Sequence, residues 1–296
     1  MTAVRFWHRF WFTPMPRARL AALRVFVYAF IPFDLFVLRP WVAAHGEVPT
    51  GLYRPLLIGR LLPLPPPTPA LVTIVQVALL VSAAIAITGR LPRLAGWATF
   101  ALYLQWMVIA FSYGKVDHDR FAFLVALAVL PTAGAAHFRD ATRDAAAAWA
   151  LRAVQVAVVA TYFLSAFAKL RYGGLAWLDS ATLLRAVVRR GTSFGDALAD
   201  VGGLLHASQY GLVALELASP ALLSRGRAGR VAVRVALGFH AVTYAAIQIA
   251  FWPHLVCLVG AFLPWERLAG VHVHGAGTAV DGDHGPVGDE HRAARH

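Results

Sequence analysis

From Ala70 to Thr88 the chain reads ALVTIVQVALLVSAAIAIT, with no ionisable side chain before Gly89 and Arg90 close the run. A stretch of that length and polarity crosses a hydrocarbon layer as a helix, and it is too apolar for a solvated surface. Similar runs recur at about 20–38, 94–112, 121–137, 151–170, 201–223, 231–250 and, shorter, 254–264. Hydrophobic residues make up 59% of the 296 and charged residues only 14%, and mean hydropathy is +0.61. That balance excludes a soluble globular protein. The expectation is an all-α, polytopic integral membrane helix bundle of about eight spans, with the lipid bilayer as its first partner.

The connecting segments carry the charge. The N-terminal arm (1–19) belongs to a stretch with five arginines and no acid before residue 25. In it Phe6, Trp7, Phe10, Trp11 and Phe12 are interleaved with His8 and Arg9, which suits an interfacial helix. It does not read as a signal peptide, because its apolar part follows Pro14 and Pro16 and no small-residue cleavage site ends it. The RLLPLPPPTP sequence closing the 39–69 loop excludes helix and implies an extended surface segment. Residues 171–199 are amphipathic: Leu183, Leu184, Val187 and Val188 alternate with Arg185, Arg189 and Arg190. From 269 to 296 the chain is a polar, His-rich tail with the composition of a disordered segment. Its scattered histidines specify no ligand geometry, so no metal is expected. The single cysteine, Cys257, excludes an internal disulfide and a cysteine metal cluster.

The formal charge of +12 is spread through short loops rather than gathered in one stripe. It fits topology and anionic lipid, not nucleic acid. With an even number of spans, the basic segments 1–24, 89–93, 139–152, 224–234 and the tail share one side. The bias puts both termini in the cytoplasm of a multi-pass cell-membrane protein. The arginines of 171–199 run against it.

Polar groups inside the runs are functional candidates, because they are costly to keep there. Asp34 lies in the first run and must face protein or water. The turn SYGKVDHDR (112–120) sets Lys115, Asp117, His118, Asp119 and Arg120 at the outer boundary, unless these are merely solvated turn residues. Lys169, in the last turn of the fifth run, is one of two lysines, with Lys115, among 27 basic residues. Where only positive charge is wanted this chain uses Arg, whereas a lysine can give up its proton near neutral pH. The plainer alternative is an anchor snorkelling to the boundary. His240, in mid-run, needs a partner and is either functional or a hydrogen-bonded packing residue. Glu216 is expected in the inner half of its run, paired with Arg230 or Arg234. Trp177 and Trp252 have the placement of interface anchors.

The arm ending PMPRARLAALRVFVYAF, the turn YGKVDHDRFAF, YFLSAFAKL followed by Trp177, and the late run GFHAVTYAAIQIAFWPHL occur in that order. Together they resemble the horizontally transferred transmembrane domain family, which is similar to the membrane part of vitamin K-dependent gamma-glutamyl carboxylases. The resemblance covers about residues 5–268, making 1–268 one carboxylase-like transmembrane domain. It implies that Lys169 is a catalytic base using reduced vitamin K or menaquinol with O2. In that chemistry a deprotonated amine takes the hydroquinone proton, and the strong base formed after oxygenation removes a glutamate γ proton before CO2 adds. The carboxylases also use a histidine in the turn, matching His118, or Asp119 if the register shifts by one. The resemblance further implies a supporting role for His240 and a quinone site that includes Tyr162, Trp177 and Asp34. The carboxylases carry a large lumenal domain that recruits substrate, and no counterpart is visible in this sequence.

Two functional classes follow. One is a quinol- and O2-dependent carboxylase or epoxidase at the outer membrane face. The other is a non-enzymatic quinone-binding or structural partner of a neighbouring membrane or extracytoplasmic protein. A transporter fits less well, since no inverted repeat or paired broken helices are visible.

Overall fold

The computed structural model describes residues 2–268 and Gly270; the rest of the polar tail lies outside the described residues. The arm forms α1 (Ala3–Phe12), and Pro14 and Pro16 separate it from α2 (Arg17–Phe33). The first apolar helix therefore begins inside what the sequence suggested was arm. Pro32 lacks the amide that the helical ladder needs, and Asp34–Leu38 continue α2 as a wider π-helical turn. A 3-10 stretch (Pro40–Glu47), a short α3 (Leu57–Leu61) and the extended proline run lead into α4 (Pro69–Thr88).

The ends of α4 are set by local chemistry. The Thr68 hydroxyl accepts the Leu71 amide at 3.2 Å, Pro69 needs no partner at the first position, and Gly89 takes φ +70°. Then follow α5 (Leu94–Phe111), α6 (Phe121–Val129), α7 (Ala145–Gly173), α8 (Thr182–Arg190), α9 (Ser193–Ala199), α10 (Leu204–Leu217), α11 (Gly226–Ile247), α12 (Trp252–Phe262) and α13 (Trp265–Leu268). Among the described residues five helices are long and apolar enough to cross a membrane: α2 with its π turn, α4, α5, α7 and α11. The chain is thus an all-α bundle whose apolar helices are compatible with a multi-pass membrane protein.

Two of the expected spans, α6 and α10, are shorter than the sequence suggested, while α12 has the short length expected of it. α6 has 9 residues, α10 has 14 and α12 has 11. Prolines explain the first two: Pro131 and Pro220 tighten the chain into the 3-10 turns Leu130–Ala133 and Ser219–Leu223. α7, at 29 residues, begins before and ends after the 151–170 run; Asp144 caps its start by accepting the Ala146 amide at 2.9 Å and four alanines open it.

The main core joins α2, α4, α5, α6, α7 and α12 around Tyr28, Tyr103, Trp106 and Phe123. Arg24 is buried in it, its guanidinium donating to the carbonyls of Gly134 and Ala136. A two-residue ladder pairs β1 (Met15–Pro16) with β2 (Arg143–Asp144), and Arg17 reaches Asp140 and Asp144 at 3.5 and 3.7 Å. These contacts fasten the arm to the start of α7. On the far side of α7, α8 and α9 cover α11 through a small second core of Val187, Ala246 and Ile247. α7 is therefore the seam between two packing units, and Tyr162, Ser165 and Lys169 lie along it.

Candidate functional site at the α7 seam

Tyr162, Ser165 and Lys169 are spaced three and four residues apart, so α7 sets them on one face. Lys169 Nζ donates to Ser165 Oγ at 2.7 Å and to Glu216 Oε1 and Oε2 of α10 at 2.6 and 2.8 Å. Ser165 Oγ in turn donates to Glu216 Oε1 at 3.0 Å. All three ammonium protons thus have acceptors. The Lys169 and Glu216 side chains are 20% and 7% exposed, a largely desolvated pair. Past the helix end the Trp177 ring folds back, its centroid 5.5 Å from Nζ. Gly173 permits this approach, since a Cβ there would lie 2.9 Å from Trp177 Cβ. The expected pairing of Glu216 with Arg230 or Arg234 is overturned. α10 runs antiparallel beside α7 and delivers the carboxylate to Lys169.

Below this pair, Tyr162 Oη lies 2.6 Å from His240 Nε2 of α11. The Tyr162 ring also meets His254 of α12 edge-on at 4.6 Å, and the two imidazoles are 5.5 Å apart. His240 Nδ1 and both nitrogens of His254 are buried with no hydrogen-bond partner among the described residues. Such orphaned polar atoms are uncommon in a folded interior. Phe251 stands between this cluster and His118, its ring 5.8 Å from His240 and 6.1 Å from His118. His118 itself is exposed.

The remaining candidates belong to a second network. Asp34 is fully buried and accepts from Arg120 at 2.6 Å and from the Tyr103 hydroxyl at 2.8 Å. Arg39 pairs with Asp117, which Lys115 approaches to 3.5 Å. Asp119 turns inward, where burial pushes its carboxyl above the usual range; Asp117 adds to this, and Arg120 and Arg39 oppose it. In the adjoining loop, burial holds the His45 imidazole below its ordinary value. The structure brings Lys169, Tyr162, Trp177 and His240 to one seam. It sets Asp34 and Asp119 in the arginine network and leaves His118 at its edge.

Between α10 and α11 the seam opens sideways. A cavity of about 730 Å³ is lined by Tyr162, Ser219, Arg227, Val231 and Val235, with alanines and leucines making up the rest. A second, of about 360 Å³, continues toward α8 and α9, and the two share Leu215 and Val235.

Sequence reasoning missed His254, Ser165, Tyr103 and the role of Glu216. Ser165 was legible as the residue one turn before Lys169, and Glu216 as the one acid in its run. His254 follows Pro253 at the start of a short run and gave no comparable signal. Comparison with protein-family models, with curated proteins and with solved structures gives no match for this chain.

Proposed function

We propose that this chain is a quinone-binding membrane protein of the carboxylase-like kind. In this reading the Lys169–Glu216 pair acts as a proton acceptor toward a bound hydroquinone at the outer face. The observation that carries the reading is the largely desolvated pair on the same α7 face as Tyr162, which lines the 730 Å³, mostly apolar cavity. The residues present fit such a ligand. The cavity wall is largely apolar, with Arg227 and Ser219 as polar members, and the nitrogens of His240 and His254 that find no partner among the described residues lie behind Tyr162 rather than in the lining. A bound hydroquinone would supply reducing electrons and phenolic protons.

The protein's own part is proton handling. Glu216 withdraws a proton from the Lys169 ammonium along the existing hydrogen bond, which leaves a neutral amine and a neutral acid. The amine then accepts a phenolic proton, while Ser165 Oγ holds both partners in place. Tyr162 and His240 orient the ring end of the ligand. In the same proposal α6 and α10, each with its 3-10 extension, and α12 are shorter crossings that complete eight spans, and both termini are cytoplasmic.

A second reading is favoured by one observation. Every proton of the ammonium is satisfied by Ser165 and Glu216, as in a purely structural ion pair. One experiment separates the two. Purified protein is given reduced naphthoquinone and O2, and epoxide is followed for wild type, Lys169→Arg and Lys169→Ala. The proton-acceptor reading expects epoxide from wild type alone, with quinone binding retained in Lys169→Arg. Equal behaviour of wild type and Lys169→Arg supports the structural pair instead.

A further inference from the structure

We infer that the exposed face of the first turns of α11 seats an anionic phospholipid, with its phosphate held between Arg230 and Arg234. Arg227, Arg230 and Arg234 follow one another at intervals of three and four residues, so they share one face of the helix. All three are exposed, and among the described residues none has an ion-pair or hydrogen-bond partner. α11 contains no acid, and Glu216, the one acid of α10, is taken by Lys169. Side chains four apart on a helix stand about 6 Å apart at Cβ, so two guanidiniums can grip one phosphate through several hydrogen bonds.

The depth of these arginines says what carries the phosphate. α11 is long and apolar enough to cross a membrane, and Arg234 lies about 12 Å along the axis from its start. A guanidinium that far into a crossing is costly to keep unless it reaches the headgroups and meets a counter-ion there. Val231 and Val235, 55% and 52% exposed, stand beside the arginines, and the exposed Val242 continues the apolar surface two turns further on. Arg227, Val231 and Val235 also line the sideways opening of the cavity between α10 and α11. Cationic groups at one end and an apolar surface beyond them match the polarity of a phospholipid, whereas a soluble anion would leave the valines uncovered. In the proposed orientation this is the cytoplasmic leaflet. The site lies apart from Lys169 and stands whether or not a quinol binds.

The test uses the full chain in detergent, comparing phosphatidylglycerol with phosphatidylcholine of the same chains by native mass spectrometry. Wild type should retain the anionic lipid preferentially. Arg230→Gln should weaken that preference about fivefold, and Arg230→Gln/Arg234→Gln about 25-fold. Arg185→Gln, at an equally exposed arginine of α8, should leave it unchanged. Thermal melting checks that each variant is folded, and Arg230→Gln alone decides if the double variant is not. Equal retention of the two lipids by wild type, unchanged preference in folded Arg230→Gln, or an equal loss in Arg185→Gln overturns the proposal. So does displacement of phosphatidylglycerol by millimolar glycerol 3-phosphate, which carries the phosphate without the chains.

Discussion

At the residue scale, Lys169 and Glu216 are each tolerable in an apolar seam only because the other is there. Glu216→Gln leaves an ammonium facing neutral partners and should destabilise the fold by about 3 kcal/mol, read from thermal or denaturant unfolding. Lys169→Gln combined with Glu216→Gln should recover most of that loss, because neither charge is then stranded. The Asp34–Arg120–Tyr103 network obeys the same logic in deeper burial. Asp34→Asn should cost about 3–5 kcal/mol, and a loss below about 1 kcal/mol would show that the network contributes little. Lys169 was legible in the sequence as a lysine in a chain of arginines, and Asp34 as an acid inside an apolar run. Their partners were not, because pairing across helices depends on how each helix is rotated, which periodicity alone leaves open.

At the element scale, two attachments have distinct signatures. α13 is held to α2 by Arg19–Glu266 and by Trp265 against Phe26, ring centroids 4.8 Å apart. Burial raises the Glu266 carboxyl, but the Arg19 hydrogen bond and charge outweigh it and leave it below its ordinary value of 4.5. A depressed carboxylate stabilises the fold above that value, and the stability is lost as pH falls through the lowered one. Trp265 fluorescence should therefore report release of α13 only at a pH below 4.5. Arg19→Gln should move that midpoint upward.

The second attachment holds α9 on α11. Thr192 Oγ1 donates to the Ala246 carbonyl at 2.8 Å and accepts the Gly195 amide at 2.9 Å, and a Cβ on Gly195 would fall 2.5 Å from that same carbonyl. Gly195→Ala should free α8 and α9 and speed their amide exchange while leaving α4 and α5 protected. The end of α4 could be placed from sequence, because Gly89 and Arg90 close its apolar run, whereas its start at Thr68 and Pro69 lay inside the proline run expected to be extended. The ends of α6 and α10 could not, because their prolines sit inside apolar runs that hydropathy reads as continuous.

At the scale of the whole molecule, the alternation of apolar runs made the all-α membrane bundle legible, while the division into two packing units along α7 appears only in three dimensions. The proposed orientation gives a direct expectation. Cys257 is buried, so the native thiol stays quiet. Cysteines introduced at exposed Arg90 and Val116 should label from opposite sides in intact cells, Val116→Cys with an impermeant reagent and Arg90→Cys only after permeabilisation. The measurement closest to the proposed chemistry is infrared difference spectroscopy on oxidation of a hydroquinone bound to the purified protein. A shared Lys169–Glu216 acceptor should yield a protonated-carboxyl band that disappears in Glu216→Gln and shifts in Lys169→Arg. A spectrum with no such band, or one unchanged by Glu216→Gln, would contradict the proton-acceptor role.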